Sequence, residues 1–212
     1  MKARLIQYVH MKPRLFVDQK ITAFANKYQV FEASEAGEKG QLVALAQQKR
    51  LAFKEKVTFY SDEQKTSPAF TFRAEKVLDV HGRYLVEDMD GKLVGAFRKE
   101  FKASLLNSTW TVFDGSDNAR YRVRESNQVL AVARRFAGFI PIVGDLYEMI
   151  LLFFRYHFVF EDIATGEAVG KYMKTTLFRD HYQLELTDAA QAEIDWRVWA
   201  ALGVGLDALQ SR

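Results

Sequence analysis

The chain has 212 residues, of which 49% are hydrophobic, 14% aromatic and 27% charged. That is enough apolar material for one sizeable core, which excludes general disorder and fits a single domain over residues 1–212. Thirty Lys and Arg against 27 Asp and Glu leave +3, too small an excess to argue for a nucleic-acid partner, and zero cysteines exclude disulfide scaffolds, thiol catalysis and Cys-ligated zinc while fitting a reducing compartment.

The opening, Met1 to His10, lacks the long apolar stretch of a secretory signal, so a cytoplasmic location is expected. A hairpin pattern then recurs along the chain. Weak copies run from Tyr28-Gln-Val-Phe-Glu into Gln41-Leu-Val-Ala-Leu, and from Val57-Thr-Phe-Tyr-Ser-Asp into Ala69-Phe-Thr-Phe-Arg. The clear copies are Tyr84 to Lys99 and Phe158 to Lys174. Each has an acidic pair entering the turn, then Gly-x-x-Val-Gly (Gly91 to Gly95, Gly166 to Gly170), then a lysine. The first glycine supplies the positive φ of a tight turn. The second lies inside a strand, where a missing side chain marks a bulge or a close backbone approach. A further hairpin is read over Tyr121 to Ala133, with Ser126-Asn127 as its turn. Short strands with regular turn signals predict a mainly β protein, a closed barrel of about 12 antiparallel strands with its hairpins over about residues 20–187.

Phe136 to Phe160 is the most apolar stretch, but it contains Pro141, Asp145 and Glu148, which argue against a spanning helix. Residues 136–156 are read as an extra, partly helical apolar insertion. If Asp145 to Arg155 is helical, Asp145, Glu148, Leu152 and Arg155 share one face and the rest is apolar. Three readings stay open: an interfacial membrane element, a dimer or partner surface, or a lid over the barrel mouth. The membrane or partner contacts would be Phe139, Ile140, Ile142, Tyr147, Ile150, Leu151 and Phe154.

After the strand at His181 to Thr187, Asp188 is an N-cap candidate for a helix over about 188–210. From Val198 to Leu206 no polar side chain occurs, and a helix apolar all round must be enclosed. Ala200, Ala201, Gly203 and Gly205 keep it thin, which places it along the barrel axis.

These features resemble the LURP-one-related branch of the tubby C-terminal-like superfamily, which is related to the phospholipid scramblases. The residues that carry the likeness are His10-Met-Lys-Pro-Arg-Leu-Phe, the Asp-x-Asp-Gly-x-x-Val-Gly hairpin at 88–95, Phe158-x-Phe-Glu-Asp with Gly166-x-x-Val-Gly170, and the closing apolar helix, together spanning about residues 8–210. The resemblance implies a barrel around a hydrophobic C-terminal helix. It also implies a non-enzymatic binding module, since tubby-type members bind membrane phosphoinositides through basic surface residues.

Arg120, Arg122 and Arg124 alternate, so one strand face presents all three; Arg134 and Arg135 would close the partner strand of the same hairpin. Guanidinium groups donate planar paired hydrogen bonds, which suits phosphate or headgroup recognition. The alternative is a solvated outer face paired with Glu125 and other acids. His10, His81, His157 and His181 are scattered with no zinc spacing, and the Asp pairs at Asp88/Asp90 and Asp114/Asp117 lack the rest of a calcium loop. No nucleotide-binding or hydrolase motif occurs, so no metal, cofactor or catalytic residue is assigned. The expected partners are a phospholipid surface or phosphoinositide met by a peripheral protein, or, as the alternative, further copies of the chain in a homo-oligomeric scaffold built on 136–156.

Overall fold

The structure is a computed structural model that describes residues 11–21, 25–49, 56–75, 82–100, 109–125, 157–176 and 180–210. Twelve strands follow one another: β1 (Lys12–Ile21), β2 (Ala25–Ala33), β3 (Lys39–Lys49), β4 (Val57–Tyr60), β5 (Pro68–Ala74), β6 (Arg83–Asp88), β7 (Leu93–Lys99), β8 (Thr109–Phe113), β9 (Ala119–Glu125), β10 (His157–Asp162), β11 (Ala168–Lys174) and β12 (Asp180–Leu186). Two helices close the chain, α1 (Asp188–Glu193) and α2 (Trp196–Gln210). Each strand pairs antiparallel with its neighbour in sequence, and β1 pairs with β12, so the sheet closes into a barrel with no free edge.

The repeat-internal glycines mark close approaches, Gly95 between wall and helix and Gly170 within the wall. A Cβ on Gly95 would lie 2.7 Å from Val198 Cγ2 of α2 and 2.7 Å from the Phe113 carbonyl oxygen. On Gly170 it would lie 2.6 Å from Leu186 Cδ2 and 2.8 Å from both the Glu185 carbonyl oxygen and Phe160 Cδ2. Both sit beside register shifts, at Val86/Glu87 and Phe160/Glu161. The turn glycines Gly91 and Gly166 have φ of 80° and 71°, as tight hairpin turns require.

Residues 198–206 are buried throughout. The enclosing wall supplies aromatics: Trp199 stacks on Phe160 at 5.3 Å and tilts against Tyr121 at 5.7 Å, and Gly203 and Gly205 let Tyr172 and Phe97 approach the helix backbone. Among the described residues no helix is long and apolar enough to cross a membrane.

Three sequence expectations need correction. The wall starts at Lys12 rather than near residue 20, because β1 is the strand that closes the barrel; Pro13, which has no N–H to donate, sits at a bulge in its pairing with β12. The C-terminal helix is two helices. Thr187, not Asp188, caps α1 by accepting from the Ala190 N–H, leaving Asp188 to pair with Arg14 and Lys12. Ile194 is extended, and Asp195 restarts the helix by accepting from the Arg197 N–H at 2.9 Å. Finally, β9 pairs with β8 on one edge and β10 on the other, so residues 121–124 have no edge left for a hairpin across Ser126-Asn127, which itself lies outside the described residues.

Candidate functional site

In β9, Tyr121 and Val123 point into the barrel and are buried, so Arg120, Arg122 and Arg124 stand on the outer wall as the alternation requires. Register extends this stripe sideways. Arg122 lies opposite Thr111, Thr111 opposite Arg98, and Arg98 opposite Arg83, so an outward row crosses four strands. Arg83 and Arg98 cover the Phe113 ring, at 4.9 and 5.4 Å from its centroid. They were not singled out from the sequence, because only the register of β6 to β9 brings them into line.

Most of these guanidinium groups already hold a carboxylate. Arg120 pairs with Glu193 of α1, Arg124 with Glu161 of β10, and Arg83 with Asp117 of the β8–β9 turn. Arg98 donates to Glu100 from both Nε (3.0 Å) and Nη2 (2.9 Å), and the Thr111 hydroxyl donates to the same oxygen. The solvated, paired face is thus largely what the wall shows, but Glu125 is not the partner. It occupies the Tyr121/Val123 face of the strand, opposite Phe158, near Lys99. Arg122 differs from the rest: it is exposed and has no partner among the described residues. Arg134, Arg135 and the whole 136–156 segment, with its contact residues, lie outside the described residues.

A second polar constellation sits inside the barrel, near the C-terminal end of α2. Asp207 is 5% exposed; its carboxylate accepts from the Tyr28 hydroxyl (2.9 Å) and the Tyr182 hydroxyl (2.5 Å). Gln19 Nε2 donates to Tyr28 Oη, and the buried Tyr172 hydroxyl donates to the Gly203 carbonyl oxygen. Burial pushes the Asp207 carboxyl up to about 6 against the pull of its two hydroxyl donors, and burial beside that carboxylate holds all three phenols well above their ordinary value. Strands β1, β2, β11 and β12 are thereby tied to the helix. Chemically this is a clamp: each carboxylate oxygen accepts from a phenol, and the carboxylate is buried. The sequence held one clue to it, a carboxylate ending an otherwise apolar helix run, but its tyrosine partners come from strands remote in the chain.

Among the described residues, no group of three or more His, Asp or Glu side chains is placed to hold a metal ion. A family model described as LURP-one-related matches residues 42–207, from β3 to the Asp207 turn of α2. No curated protein and no solved structure matches the chain.

Proposed function

Because the chain belongs to the LURP-one-related family, whose membership points to a tubby-like binding module, we propose that this barrel is a non-enzymatic module that recognises a phospholipid headgroup or similar anion at a membrane surface through the outer wall of β9. The observation that carries the reading is Arg122, an exposed guanidinium with no carboxylate partner among the described residues, flanked by Arg120 and Arg124 on the same face. A guanidinium offers a phosphate two parallel N–H donors, which neither water nor a lysine matches geometrically. Arg124 is recruitable as well. Its side chain is 51% exposed, although that of its partner Glu161 is only 14% exposed. A multiply charged headgroup would compete with Glu161 for Arg124 from the exposed side of the arginine.

The test is co-sedimentation with phosphatidylcholine vesicles, with and without a few per cent phosphoinositide, and with soluble inositol trisphosphate as competitor. Phosphoinositide-dependent pelleting is expected to fall at least tenfold in Arg122→Glu and further in Arg122→Glu/Arg124→Glu. Equal pelleting with and without the anionic lipid, or no loss in the variants, overturns the reading. Inhibition by the soluble headgroup identifies phosphate recognition rather than general surface adhesion.

A further inference from the structure

The two ends of the barrel are built differently. One end is closed by the hairpin turns at 34–38, 61–67, 89–92, 114–118 and 163–167 and by the 187–195 segment that carries α1. Four of the turns are made the same way. Asp62, Asp88, Asp114 and Asp162 each accept backbone N–H groups from the turn that follows, and Ser34 does so in the fifth. These segments hold eleven acidic residues, Glu35, Glu38, Asp62, Glu63, Asp90, Asp114, Asp117, Glu167, Asp188, Glu193 and Asp195, against two basic ones, Lys65 and Lys92. Five cations of the adjoining strands and α2, Lys12, Arg14, Arg83, Arg120 and Arg197, pair with four of these acids, which still leaves the end net negative in a chain whose net charge is +3.

Structure accounts for only part of that charge. Asp117, Asp188, Glu193 and Asp195 have cationic partners, whereas Glu35, Glu38, Asp90 and Glu167 are exposed with no charged partner among the described residues. The same end also carries the exposed large hydrophobic side chains of the described residues: Met89 at 48%, Ile163 at 39% and Trp196 at 38%. Met89 precedes Asp90, and Ile163 lies four positions before Glu167. Trp196 packs edge-on against Phe70 at 5.6 Å, and Phe70 is the cross-strand partner of Asp88, the residue before Met89. Apolar contacts interleaved with unpaired carboxylates complement a segment with cationic and apolar side chains, and they repel an anionic bilayer.

We propose that the turn end of the barrel, with Met89, Ile163 and Trp196 as anchors and Asp90 and Glu167 as charge partners, docks a cationic amphipathic polypeptide segment of a partner protein. This end adjoins the arginine wall, since the Ile163 N–H donates to the Arg120 carbonyl oxygen and Glu193 pairs with Arg120, but its ligand is a cation and not an anion, so the two readings are told apart by the charge of what binds. A partly exposed indole at this end matches the anchor chemistry of protein interfaces.

Trp196 itself reports the contact, since Trp110 and Trp199 are buried at 0% and 2% exposure. The intact protein is titrated with a synthetic Lys/Leu amphipathic peptide carrying a fluorophore, with oligolysine of the same charge, and with phosphatidylcholine and phosphatidylserine vesicles. The expected result is a saturable blue shift of tryptophan emission with the amphipathic peptide, absent in Trp196→Phe, and at least tenfold weaker binding by peptide anisotropy in Asp90→Lys/Glu167→Lys. Both substituted side chains are exposed and unpartnered, so these variants keep the fold, which circular dichroism verifies. Arg122→Glu, which removes headgroup binding, should not weaken peptide binding, because it adds negative charge beside the docking end. Unchanged peptide affinity in the charge-reversed variant overturns the proposal, as does equal binding of oligolysine, or an emission shift produced by vesicles and not by the peptide.

Discussion

The inner and outer faces of the barrel wall use the same groups under opposite conditions. Inside, Asp207 holds two tyrosine hydroxyls at 5% exposure, and glycines at 95 and 170 leave no room for one more carbon. Outside, Glu161, Glu193, Glu100 and Asp117 hold arginines in partial contact with water. A carboxylate in the low-dielectric interior is costly and strongly coupled to its partners, whereas one on the wall is screened and exchangeable. The inner face is therefore where the fold is specified. The outer face keeps its charges available to a ligand.

The largest predicted effect breaks the inner face. Valine is a better strand residue than glycine, by up to ~1 kcal/mol, yet Gly170→Val would drive its Cβ into Leu186, Phe160 and the Glu185 carbonyl oxygen. The loss expected in urea unfolding exceeds about 3 kcal/mol, the upper part of the range for overpacked cores. Gly95→Val meets Val198 and should behave alike, separating wall from helix. Gly91→Asn is the internal contrast. A side chain there meets nothing within 4 Å, so only its positive φ matters, and the cost stays near ~1 kcal/mol. If Gly95→Val proves no worse than Gly91→Asn, the close approach of β7 to α2 is wrong.

That pair of glycines also shows what the sequence made legible. Spacing alone distinguished the turn glycine from the strand glycine, and the all-apolar run at 198–206 called for an enclosing wall, because both are local statements of sterics and hydration. The Thr187 cap was missed because Asp188 has equal capping chemistry; the deciding contact, Arg14 with Asp188, joins residues at opposite ends of the chain. The Arg83 and Arg98 extension of the β9 stripe depends on register, and the Asp207 clamp depends on which strands close the barrel. Neither is written in any window of sequence.

A smaller effect sharpens the electrostatic side of the inner face. The Asp207 carboxyl, raised from 3.8 to about 6 in the folded protein, binds its proton more tightly folded than unfolded. Its contribution is therefore fully present below about pH 3.8 and lost as pH rises through about 6. Between about pH 5 and about pH 7.5 this group alone should remove roughly 1–1.5 kcal/mol of stability. The groups that face it are Tyr28, Tyr172 and Tyr182, the Lys174–Asp180 pair beyond them, and Gln19 through Tyr28. The phenols stay neutral across that window, so Asp207→Asn should flatten the pH dependence while retaining an acceptor for one hydroxyl. Urea unfolding of both proteins at the two pH values checks it. A wild type more stable at the higher pH, or an unchanged slope in Asp207→Asn, would contradict a buried, proton-hungry carboxylate at the end of α2.

The smallest effect lies on the outer wall, and its smallness carries the argument. Glu161→Gln removes the charge from a pair whose arginine is 51% exposed and whose carboxylate is 14% exposed; the amide oxygen still accepts from Arg124, so stability should change by no more than about 1 kcal/mol, and added salt should shrink the difference. The same substitution leaves Arg124, like Arg122 beside it, without a carboxylate partner among the described residues. Phosphoinositide-dependent vesicle pelleting should therefore strengthen severalfold even though the fold barely notices. If pelleting instead falls with stability unchanged, Glu161 positions Arg124 for the ligand rather than competing with it, and the wall is organised by its ion pairs. A loss of several kcal/mol would mean that the outer face resembles the inner one, and that its charges are committed to holding the barrel together.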